Sequence, residues 1–147
     1  MKTLLLASVF ASFLASNPLN VSSTNTPSQA DWFRFIVQPG TPGQALQRPL
    51  VSAKGGAGNI TVRADLSAST PCQRLSGAAE RKGKKVTVRV TIRPPETGGC
   101  ILMVGNFRYE ATLNKLTPGK YQVEVIHQYP NSGWLSETVL KRQVSVR

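Results

Sequence analysis

The chain has 147 residues, with 18 Lys and Arg against 7 Asp and Glu and a single histidine, giving a formal charge of +11. A hydrophobic content of 40% and this length fit one folded domain. After the amino terminus no apolar run approaches the roughly 20 residues of a membrane-spanning helix, so a protein that does not span the bilayer is expected.

The chain opens MKTLLLASVFASFLASNPLN, where Lys2 precedes an apolar run from Leu4 to Leu14 and the small residues Ala15 and Ser16 follow. That layout predicts a secretory signal peptide over 1–16, with cleavage after Ala11, Ala15 or Ser16, and a secreted or periplasmic destination. A buried amino-terminal element is the alternative. Without Lys2 the charge is +10. A polar, flexible lead-in is expected over 17–30, followed by one domain over 31–147. Sequons begin at Asn20 and Asn59, which matter only in a source that glycosylates exported proteins.

Trp32, Phe33 and Phe35 of DWFRF start the fold. The next stretch, from Gln38 to Asn59, has three prolines and five glycines, which predicts a loop with one short edge strand near Leu50 to Ala53. Its GGAG is a connector: no Lys-Ser/Thr follows to hold a phosphate.

From Asn59 onward a period of two dominates. Ile60, Val62, Ala64 and Leu66 alternate with polar residues, as do Val86, Val88, Val90 and Ile92 until Pro94 and Pro95. Phe107, Tyr109, Ala111 and Leu113 form a third such row, and Tyr121, Val123 and Val125 a fourth. Val144 and Val146 are in phase at the carboxy end while Val139 is not, which predicts a bulge or strand switch near Lys141. The best helical candidate is SGAAERKGKK, and Gly77 and Gly83 bracket too few residues for a stable helix. The expected fold is all-β: an antiparallel two-sheet sandwich of about seven short strands.

Cys72 and Cys100 are the only cysteines, and in an exported chain they are expected to form a structural disulfide. Closing a loop of about 29 residues is worth about 3 to 4 kcal/mol in the chain-entropy model. Zinc would need His127 and a carboxylate besides, so no metal and no cofactor is expected.

The segment LTPGKYQVEV, Leu116 to Val125, resembles the connection before the penultimate strand in immunoglobulin-like and fibronectin type III-like domains. The resemblance implies that Leu116, Pro118 and Gly119 form the turn and that the Tyr121 hydroxyl bonds back as a tyrosine corner. NITVRADLSASTPC, the valine strand, the second cysteine and this turn together resemble small secreted bacterial β-sandwich proteins of unassigned function, over about residues 59 to 146. The chain departs from antibody-type domains, because Cys100 precedes the Phe107 strand and no tryptophan lies in the strand between the cysteines. The bridge would instead tie the loops that follow the Ile60 and Val86 strands.

Catalysis has little support in the sequence. Asp31, Asp65, Glu80, Glu96, Glu110, Glu124 and Glu137 are scattered singly, no Gly-x-Ser-x-Gly elbow is present, and His127 reads as a histidine at a sheet edge. No catalytic residue is assigned and a non-enzyme is expected. Arg81, Lys82, Lys84 and Lys85 around Gly83 form the densest basic cluster, which Arg74, Arg89 and Arg93 would extend. It is either a solvated tip that blunts an edge strand or a site for an anionic polymer or carbohydrate. It has no aromatic residue to stack a base, so no nucleic acid is expected. Trp134, beside Tyr129 in the last turn, is either an exposed contact for a sugar or protein or a plug over the sandwich end.

The leading expectation is an exported accessory or protein-interaction domain whose partner is another exported or envelope protein. Its alternatives are a binding module using residues 81–85 and a loop-based protease inhibitor.

Overall fold

The computed structural model describes residues 29–96 and 98–147. The expected signal peptide, most of the lead-in and the Asn20 sequon lie outside the described residues.

A single helical turn, α1 (Gln29–Trp32), leads into eight strands. They are β1 (Phe33–Pro42), β2 (Leu50–Gly55), β3 (Ile60–Ala68), β4 (Arg74–Lys82), β5 (Lys85–Arg93), β6 (Gly105–Leu113), β7 (Gly119–Gln128) and β8 (Glu137–Val146). One sheet has the order β1-β6-β3-β2 and the other β4-β5-β7-β8. The fold is the expected sandwich, with eight strands where about seven were expected. One ladder departs from antiparallel pairing, since β5 and β7 run parallel from Lys85 opposite Gln122 to Thr91 opposite Gln128. A parallel pair needs a crossover, and β6 supplies it by crossing to the other sheet. This departs from the immunoglobulin arrangement, whose two sheets are antiparallel.

Two strands differ from the reading of the sequence. The Gln38 to Asn59 stretch is less irregular than its prolines and glycines suggest. β1 continues to Pro42 through a register shift between Gln38 and Thr41, at Pro39 and Gly40. Edge strands tolerate proline because one row of their N–H groups has no ladder partner. The second difference is β4, which occupies most of the weak helical candidate. It is extended because the whole of β5 lies beside it in unbroken register, Arg74 opposite Arg93 through Lys82 opposite Lys85, and pairing outweighs a small local preference.

The four inner strands fill the core with the rows that alternate in the sequence. Ile60, Val62, Val86, Val88, Val90, Ala111, Leu113, Val123 and Val125 are completely buried, each large one worth about 1.5 to 3 kcal/mol of transfer free energy. The bulge anticipated near Lys141 is at Val139: Val125 pairs with Leu140 and Ile126 with Thr138, which skips it.

Two glycines allow the open sides of the sandwich to close. The Phe35 ring of β1 lies where a Cβ on Gly77 of β4 would stand. On the other side the Ser145 carbonyl of β8 occupies the equivalent space over Gly55 of β2. There Arg147 N donates to the Gly56 carbonyl at 2.9 Å and Gly58 N donates to the Arg147 carbonyl at 2.9 Å.

The pairing also sorts the loops. Pro42 and Ala68 both lie opposite Gly105, and β5 and β7 finish together. One end of the sandwich therefore carries loops 43–49, 69–73, 94–104 and 129–136. The opposite end carries 56–59, 83–84 and 114–118.

Candidate functional site

Residues 81–85 form the turn of the β4–β5 hairpin. Gly83 has φ +58°, a left-handed conformation that glycine adopts without steric cost and that two-residue hairpin loops require. The cations around it are turned onto the protein's own surface. Lys84 Nζ donates to Thr117 Oγ1 at 2.8 Å and to the Pro118 carbonyl at 2.9 Å. It also lies 3.2 Å from the Tyr121 hydroxyl and 4.4 Å from the centre of the Tyr121 ring. Arg81 donates to the Lys115 carbonyl at 3.2 Å, its guanidinium 5.5 Å from the Trp32 ring centre. Lys82 pairs with Glu80 at 2.9 Å and Lys85 with Glu124 at 3.1 Å. The Glu80 carboxyl, hydrogen-bonded first by Lys82 and then by Arg89, is held below the usual carboxylate range. Arg81, Lys82, Lys84 and Lys85 thus each have an internal partner, although the Lys82 side chain stays 81% exposed.

The 114–118 connection is what Lys84 covers. The Tyr121 hydroxyl donates to the Thr117 carbonyl at 3.0 Å, four residues back in the chain. Leu116 is buried, with its N–H donating to the Gly58 carbonyl at 3.0 Å. Gly119 has φ +136°, so the Pro-Gly turn depends on glycine there. These contacts hold the loop in one conformation and leave it no reactive group.

The opposite, clasped end is different in character. Cys72 and Cys100 form a disulfide with a Cα–Cα separation of 6.0 Å, tying loop 69–73 to loop 94–104. Large apolar side chains point outward from that end. Leu102 is 95% exposed, Leu135 88% and Trp134 69%, with Ile101 and Met103 about half exposed. Trp134 is therefore no plug. Its ring stands 5.5 Å from that of Tyr129, the two planes at 55°, beside a groove of about 370 Å³ that also reaches Gln73, Ile92 and Pro94. The run Ile101 to Val104, between Cys100 and Gly105, is a continuous apolar stretch that breaks the alternation without entering a strand. That break in pattern was the signal for these residues.

His127 is fully buried and lies on an inner strand, which corrects its expected place at a sheet edge. Burial lowers its pKa to about 4, so it is neutral. Among the described residues no three of His, Cys, Asp and Glu gather as a metal site would require, and no helix is long and apolar enough to cross a membrane.

A family model, the ORF11 beta-sandwich domain, matches residues 62–139, more than half of the chain. The match runs from within β3 to the Val139 bulge and takes in both the disulfide and the apolar end. No curated protein and no solved structure matches the chain.

Proposed function

The chain belongs to the ORF11 beta-sandwich domain family, and on that premise we propose that it is an exported, non-catalytic interaction domain whose contact surface is the clasped end. The observation that carries this reading is that Ile101, Leu102, Met103 and Leu135 are all solvent-exposed on two loops at the same end of the sandwich. An exposed apolar cluster is costly for a monomer unless another surface covers it, and aromatic and aliphatic side chains of this kind anchor protein contacts. Export is supported by the disulfide, which persists in oxidising compartments. The partner chemistry that suits this end is an apolar depression on another exported or envelope protein.

A photo-crosslinking amino acid at Leu102 or Leu135 tests the reading in the native host. The expected result is a covalent adduct with one exported protein, identified by mass and re-formed from the two purified proteins. The same probe at Lys120, on the outer face of β7, is expected to give none. An adduct pattern at residues 102 and 135 indistinguishable from that at 120 would remove the proposal.

For the anionic-polymer alternative the 81–85 cations are less favourably placed, because Arg81 and Lys84 donate to Lys115, Thr117 and Pro118 while Lys82 and Lys85 lie beside Glu80 and Glu124. No observation favours a protease-inhibiting loop.

A further inference from the structure

We propose that the groove beside Trp134 is a binding site for a neutral saccharide, distinct from the exposed side chains of Leu102 and Leu135 at the same end. The groove is lined by Trp134, Tyr129, Gln73, Asn131 and the hydroxyls of Ser69 and Ser132, with Ile92 and Pro94 adding to its apolar part. No charged side chain lines it, although the chain carries 18 Lys and Arg. A charged ligand would find no counter-charge here, whereas the basic surface elsewhere would attract it. An uncharged ligand has no such preference for the rest of the protein.

The mixture of groups narrows the class. A sugar ring has an apolar face of C–H groups and a rim of hydroxyls, so it needs an aromatic ring to cover the face and amides or hydroxyls to meet the rim. Trp134 supplies an exposed indole set at an angle to the Tyr129 ring. Among the described residues the Asn131 amide makes no side-chain hydrogen bond. The Gln73 amide nitrogen donates to Ser69 Oγ at 2.9 Å, which orients its free carbonyl oxygen. A purely apolar ligand would leave both amides without partners on binding, at the cost of their desolvation. A volume of about 370 Å³ is within the range of small-ligand sites.

The aromatic wall is also built before any ligand arrives. Ser132 Oγ donates to the Tyr129 carbonyl at 2.6 Å and accepts from the Trp134 N–H at 3.2 Å. Asn131 and Gly133 have φ of +62° and +75°, so the turn that presents the indole has little freedom to relax. Behind it the Tyr129 ring meets the buried His127 ring edge-on, 6.5 Å between centres. The Gln73 side of the groove is held one residue from the disulfide. A preformed wall reduces the ordering cost of a small ligand.

The test titrates the mature, disulfide-bonded chain with three neutral probes, cellotetraose, maltotetraose and tetra-N-acetylchitotetraose, read by tryptophan fluorescence and by saturation-transfer NMR. Saturable binding of at least one probe below about 10 mM is expected, with a Kd that does not change with added salt. W134A is expected to weaken it at least about tenfold while leaving the melting temperature unchanged, since that side chain is exposed. Q73A and N131A should each weaken it several-fold, and L102D with L135D should leave it intact. Saturation by none of the three probes, or equal binding by W134A, overturns the proposal. The protein-contact reading stands or falls separately, on the adducts at residues 102 and 135.

Discussion

The Tyr109 hydroxyl and His127 Nε2 lie 2.9 Å apart in the middle of the core, joining β6 of one sheet to β7 of the other. Both side chains are fully buried, and Nδ1 of the histidine has no partner. A hydrogen bond between the sheets satisfies one nitrogen in a layer otherwise filled mainly by apolar side chains, and the imidazole is neutral because burial disfavours its charged form. The same burial raises the Tyr109 pKa above its ordinary range.

This pair predicts an acid-sensitive core. The His127 pKa is about 4 in the folded protein, against 6.5 for an ordinary histidine. Between those values the unfolded chain binds a proton that the folded chain does not. The stability from keeping this histidine neutral is therefore complete above about pH 6.5 and falls as pH drops towards 4, by roughly 3 kcal/mol in all. Urea midpoints at pH 7, 6, 5 and 4 are expected to fall accordingly, and H127Q to flatten the slope above pH 5. Parallel slopes for the two proteins would contradict this origin.

The disulfide predicts a stability loss concentrated at one end. C72S/C100S is expected to cost up to about 3 to 4 kcal/mol, a fall in melting temperature of up to roughly 15 °C. Hydrogen exchange should accelerate first at the Gly43 amide, which donates to the Val104 carbonyl at 3.1 Å beside the clasp. Amides of β5 and β7 should follow only the global loss.

Lys84 and Lys82 are neighbours in the basic cluster with different worth. K84A removes a donor from the Thr117 hydroxyl and the Pro118 carbonyl and uncovers the Tyr121 ring, so a cost of about 1 kcal/mol is expected. K82A loses only an exposed pair with Glu80, which solvent screens, so a smaller change than for K84A is expected. Equal denaturation midpoints for the two variants would show that the 114–118 connection does not depend on Lys84.

Gly55 and Gly77 predict two grades of steric damage. G55A puts a methyl against the Ser145 backbone carbonyl, which cannot move without parting β2 from β8, and a loss of at least about 2 kcal/mol is expected. G77A meets the Phe35 ring instead, a side chain that can be replaced. F35L is therefore expected to recover part of the G77A loss, a coupling that a double-mutant cycle by chemical denaturation measures directly.

Much of this architecture is legible in the order of residues. Strict alternation marks β3, β5, β6 and β7, because a strand buried on one face repeats every two residues whatever its partners. The out-of-phase Val139 announces the β8 bulge for the same reason. β4 escapes that logic: as an edge strand covered by small residues and by the ring over Gly77, it carries only a faint alternation, and its conformation comes from β5.

What the sequence determined by itself is the period, hence which side chains face inward, and the pair of cysteines able to close the clasp. Which strands become neighbours was decided only in three dimensions, above all the parallel β5–β7 ladder, because pairing depends on a crossover that no local pattern records. The fate of the charges and rings was decided there too. Lys84 is turned onto Thr117, 33 residues away in sequence, and Trp134 is left in solvent beside Tyr129, since contact partners are set by distance in the fold and not along the chain.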